Sequence, residues 1–107
     1  MKKSTIAIIG GTQDLTFKKI GKKHGCNVIH HNGKLRGNGG NAKAFRTLMK
    51  KADCVVVCLD ACGHITMDIV KELAKGMDKK IDYISGYGAT SAVLAGVQLL
   101  DDMNSAA

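Results

Sequence analysis

Apolar residues along the chain gather in four short runs, separated by longer stretches in which they recur every three or four positions. Thr5 to Ile9 (TIAII), Asn27 to His31 (NVIHH), Asp53 to Leu59 (DCVVVCL) and Ile81 to Ser85 (IDYIS) read as strands. The third is the most strand-like of these, and the first, ending in Gly10-Gly11, has the continuous apolar pattern of a buried parallel strand. After the first, Leu15 to His24 reads as a helix with Leu15, Phe17 and Ile20 inward and Lys18, Lys19, Lys22 and Lys23 in water; Gly25 stops it. Ala42 to Lys51 is a second helix, with Ala44, Phe45, Leu48 and Met49 as its apolar residues. Ile65 to Lys75 is a third, with Ile65, Ile69, Val70, Leu73 and Ala74 on its inner side, and Ala89 to Leu100 is a fourth. Between the second strand and second helix, Asn32 to Asn41 carries four glycines and reads as a flexible or ligand-wrapping loop.

Strand–helix alternation repeated four times predicts an α/β fold: one three-layer Rossmann-like or flavodoxin-like domain over residues 1–107, core about 4–101. It has a four-stranded parallel sheet in the order 2-1-3-4 and four helices. In that order the first helix covers one face and the second and third cover the other. The third and fourth strands then need the fourth helix, or a partner, on the first helix's side. The fourth helix, ATSAVLAGVQLL, is apolar nearly all round, which predicts burial on more than one side. A homodimer through this C-terminal helix, with the helix possible to exchange between subunits, is the expected assembly.

A chain of 107 residues is long enough for one core and too short for two. No apolar run reaches the roughly 18 residues of a membrane span, and the N-terminus lacks a signal peptide's apolar stretch, so a cytoplasmic protein is expected. Its four cysteines are then free thiols. The net charge of +7 suits nucleic acid, phosphate ligands or acidic surfaces. With four aromatic residues and no recognition motif, nucleic acid binding has only the charge behind it. A serine nucleophile elbow, paired catalytic carboxylates, a Walker lysine and the full GxGxxG fingerprint are all missing from the sequence.

Parallel topology brings the residue after each strand to a common rim, where ligands of open α/β sheets bind. That rim collects Gly10, Gly11 and Thr12; His30, His31 and Gly33; Cys58, Asp60, Cys62 and His64; and the turn from Ser85 to Ser91. Gly10-Gly11-Thr12 opens a helix, so its N–H groups suit an anion; it is equally a tight turn with Thr12 or Asp14 as cap. The SGYGATS turn offers a second such start. Cys58, Cys62 and His64 form C-x3-C-x-H, a thiolate and imidazole set suited to zinc, iron or copper, with His30 or His31 approaching from the next strand. Cys62 lies beyond the strand beside a helix start, which predicts a reactive thiolate; Cys26 and Cys54 read as packing residues, and Cys58, by parity with Cys54, as possible core. Only one of His30 and His31 can face a given side of the sheet.

The GG turn, the HHNGK segment and DACGH together resemble a bacterial family known as domain of unknown function 2325, over about Ser4 to Leu100. The resemblance implies a Rossmann-like fold and a site at Gly10, Gly11, His30, His31, Gly33, Asp60 and His64, without an activity. Asn32 stands where the family has an acidic residue, and in DACGH the cysteine and Gly63 depart from its pattern. The expected function is a binding or sensing module for a metal ion or a redox-active small ligand, such as an oxygen species, held through His and Cys residues. The alternative is a phosphate- or nucleotide-binding enzyme using the Gly10-Gly11 and Ser85-Ser91 turns.

Overall fold

The computed structural model describes residues 4–11, 13–32, 41–59, 62–85 and 88–105. They form β1 (Thr5–Ile9), α1 (Asp14–Lys23), β2 (Asn27–His31), α2 (Asn41–Lys50), β3 (Cys54–Cys58), α3 (His64–Met77), β4 (Lys80–Ile84) and α4 (Ala89–Ser105). The strands make one sheet in the order β2-β1-β3-β4, with every neighbouring pair parallel.

Side-chain parity sorts the core into two layers, because successive strand residues face opposite sides. Ile6, Ile8, Val28, Cys54, Val56 and Cys58 pack against Phe17 of α1 and Ala92, Val93 and Leu100 of α4. Ala7, Ile9, Val55 and Val57 pack against Phe45 and Met49 of α2 and Val70 and Ala74 of α3. The fourth helix thus covers β3 and β4 from within its own chain, as the first of the two sequence-derived options required. It lies very close: a Cβ on Gly96 would stand 2.5 Å from Cγ2 of Ile6. The carbonyl of Gly96 accepts the Cys54 thiol at 3.5 Å.

Helix α1 ends on Gly25, whose φ of 72° is in the left-handed region. There the N–H of Gly25 donates to the Lys22 carbonyl and that of Cys26 to Gly21, a closure that satisfies the last turn and turns the chain into β2.

Two inward assignments are corrected. Leu15 is 82% exposed. It lies two positions from buried Phe17, about 200° around the helix at 3.6 residues per turn, and so faces away from the sheet. Ile65 is 64% exposed because it occupies the first turn of α3, off the stripe of Thr66, Val70 and Ala74 that meets the sheet. On α2, of the apolar residues named, Phe45 and Met49 are buried and Ala44 is exposed. Among the described residues no helix is long and apolar enough to cross a membrane.

Candidate functional site

The end of β1 turns through two consecutive left-handed residues, Gly10 at φ 111° and Gly11 at φ 84°. A side chain is disfavoured at both, which is the physical reason for the GG pair. The N–H of Gly10 still donates to the His31 carbonyl, at 2.7 Å, so the turn begins from a fixed point of the sheet. Helix α1 follows. Its N-cap residue is Gln13, which makes no side-chain cap bond. The capping expected of Asp14 is therefore corrected: Asp14 is the first residue of the helix, and its carboxylate turns elsewhere.

It turns to His30. The imidazole Nδ1 is 3.3 Å from Asp14 Oδ1 and the side chain is only 6% exposed. Nε2 is 3.1 Å from the Gly10 carbonyl oxygen. Both facing atoms are acceptors, so the ring satisfies them together only when both nitrogens carry protons. Phe17 packs beside it, ring centroids 5.0 Å apart, and Asp14 also pairs with Lys18 at 3.1 Å. His30 is thus a tie between β2, the GG turn and α1. His31 points to the other face, where its ring centroid is 4.5 Å from that of Phe45.

Past β3 the thiols divide in the same way. Cys58 is buried in the α1–α4 layer, and burial pushes its thiol up. Cys62 packs in the α2–α3 layer and donates its S–H to the Ile9 carbonyl at 3.5 Å. Burial, and then the neighbouring Cys58, push the Cys62 thiol up to about 11. The expected thiolate is corrected: desolvation outweighs the nearby helix start, and Cys62 is a neutral donor at physiological pH. Cys26 and Cys54 are buried, as packing residues should be. Gly63 opens α3 without a side-chain cap bond, His64 follows it and is exposed, and Ser85 is exposed just after β4. Thr12, Gly33 and Asp60 lie outside the described residues, as do Gly86 and Tyr87 of the Ser85–Ser91 turn.

The fold therefore brings Cys62 to Ile9, the residue before the Gly10-Gly11 turn, where the chain after β1 and the chain after β3 leave for helices on opposite faces of the sheet. It separates His30 and Cys58 from His31 and Cys62. Among the described residues, no group of three or more His, Cys, Asp or Glu side chains could hold a metal ion. Asp14, which the sequence offers as a cap, is instead a partner of His30. Its only signal was its position at the head of α1, which favours a cap as much as a histidine partner.

The family model for an "uncharacterized protein conserved in bacteria (DUF2325)" matches residues 5–96. A UPF0751 protein of Bacillus cereus (strain AH820) is 42% identical over 97 residues, covering 91% of this chain and 96% of that protein. One from Bacillus anthracis (strain CDC 684 / NRRL 3495) is 41% identical over the same length and coverage. A UPF0751 protein of Desulfitobacterium hafniense (strain Y51) is 33% identical over 89 residues, covering 82% of this chain and 86% of its own length. No solved structure matches the chain.

Proposed function

The chain belongs to the bacterial DUF2325 family, and from its site we propose that it binds a small phosphate-bearing ligand where β1 and β3 part. The observation that carries this reading is the pair of left-handed glycines running into a helix whose N-cap side chain makes no cap bond. Such a turn presents backbone N–H groups to an anion with no Cβ in the way, at the point of the sheet where α/β proteins bind ligands. Helix α3 opens toward the same rim from Gly63, again without a side-chain cap. Among the described residues, the carboxylate at the head of α1, Asp14, is paired with Lys18.

A thermal-shift panel of inorganic phosphate, nucleotides and sugar phosphates tests the proposal. A ligand at 100 times its Kd stabilises by about 2.7 kcal/mol. Gly11→Ala should abolish that shift, because the backbone would leave its left-handed conformation. A flat response across the panel refutes the reading. Were the ligand also turned over, the exposed His64 is better placed for proton transfer than His30, both of whose nitrogens are engaged.

A second reading keeps a zinc, iron or copper ion, or a redox-active ligand, on the α2–α3 side. What supports it is that Cys62 bonds to Ile9, the residue paired in register with His31, while His64 begins the same layer's third helix. Binding would have to displace the Cys62 proton, so it should strengthen with pH. Metal analysis of untagged protein, repeated on His64→Ala, decides it; no stoichiometric metal in the wild type defeats it.

A further inference from the structure

The charge of the molecule is unevenly placed, and the imbalance lies away from the GG turn. Helix α1 has four exposed lysines against Asp14 alone, and Asp14 is already bound to Lys18 and His30. Helix α2 and the residue after it present Lys43, Arg46, Lys50 and Lys51, all exposed, with no acidic residue among them. The other half is weakly acidic: α3, β4 and α4, with the turn between α3 and β4, hold Lys71, Lys75, Lys79 and Lys80 against Asp68, Glu72, Asp78, Asp82, Asp101 and Asp102. Each half contains two helix C-termini, so the helix dipoles do not cancel the difference.

The two basic helices cover opposite faces of the sheet, and β2, between them, is the end strand. Along it runs a hollow of about 580 Å³. Its floor includes Asn27, Val28 and Ile29, and Lys18 and Lys22 reach it from α1 while Lys51 reaches it from the end of α2. Two layers thus direct like charges toward one trough, which favours an anion lying along it; the acidic group beside its lining is Asp53, whose carboxylate accepts the Thr5 N–H at 2.7 Å. Among the described residues that line the trough, none is aromatic. Single-stranded nucleic acid is held largely by stacking on such rings, whereas a duplex is held by its phosphates.

We propose that the β2 edge, with α1 and α2 on its flanks, binds the phosphate backbone of double-stranded nucleic acid without reading its sequence. Fluorescence anisotropy of a labelled duplex of about 20 base pairs, titrated with salt from about 50 to 200 mM, tests this. Three lysine–phosphate contacts predict a slope of log K against log salt near −3, at roughly −0.9 for each. Lys22→Glu with Lys51→Glu should weaken binding at least tenfold and flatten the slope by about two. Lys71→Glu with Lys75→Glu changes the net charge equally on the acidic half and should cost far less. All four side chains are exposed, so both variants should keep the wild-type melting curve. Equal losses in the two variants overturn the proposal, since net charge alone would then explain binding. So does tighter binding of a single strand, no binding at the lowest salt, or a salt-sensitive self-association without nucleic acid that occupies the basic edge.

Discussion

Leu15 and Phe17 show how two residues of similar apolar character acquire opposite weights. Phe17 is 1% exposed and closes both the core and the His30 contact, whereas Leu15 is 82% exposed. Phe17→Ala should cost about 3–5 kcal/mol in denaturant unfolding. Leu15→Ser should stay within about 0.5 kcal/mol of wild type. A large loss from Leu15→Ser would mean that the first turn of α1 is covered after all. The cysteines make a related point through pH. Burial, then Asp53 and Cys26, push the Cys54 thiol up to about 12 from an ordinary value near 9. A raised folded-state pKa means that the unfolded chain loses this proton first. The stabilisation from Cys54 is therefore complete below about pH 9 and declines as pH rises toward 12. Cys54→Ala should flatten the alkaline loss of stability measured by urea unfolding, and an unchanged slope would contradict the burial of this thiol.

At the scale of elements, the seat of α4 depends on one missing side chain. Gly96 rests on Ile6, which is fully buried and cannot withdraw. Gly96→Ala should destabilise by about 1–3 kcal/mol through overpacking, against the usual gain from replacing glycine within a helix. A stabilised Gly96→Ala protein would show that α4 rides further from the sheet. Strand and helix order were fully legible from the periodicity; β1 and β2 keep their expected ends, and the ends of the other elements move by at most five residues. The helix faces were less so: the two-residue spacing of Leu15 and Phe17 was read as one face, although a helix places such positions on opposite sides.

For the whole molecule, α4 completes its own subunit, so exchange of this helix is not needed to finish the fold. A homodimer through α4 stands as a proposal supported by Leu94, 44% exposed on a helix whose Ala95, Val97 and Leu99 are only partly covered. Sedimentation velocity at micromolar concentration should give a dimer that Leu94→Lys dissociates; a wild-type monomer would reject it. The same scale decided the candidate site. The rim itself followed from parallel topology, and Cys62 bonds there to Ile9, the residue before the GG turn. Strand parity sends His30 and His31 to different layers, one histidine of the pair to each face as alternation requires, with Cys58 on the His30 side and Cys62 on the His31 side.

The sequence alone determined the order of elements, the parallel sheet 2-1-3-4 and the need for glycine after β1, because these rest on period, composition and local backbone sterics. Only the tertiary structure decided that His30 is bound to Gly10 and Asp14, that Cys62 keeps its proton, and that the lysines of two helices share one edge. Those outcomes depend on neighbours through space. Gly10 and His30 are 20 residues apart and Ile9 and Cys62 are 53 apart. Desolvation and hydrogen bonding are set by what surrounds a group once the layers close, and no local pattern along the chain records that.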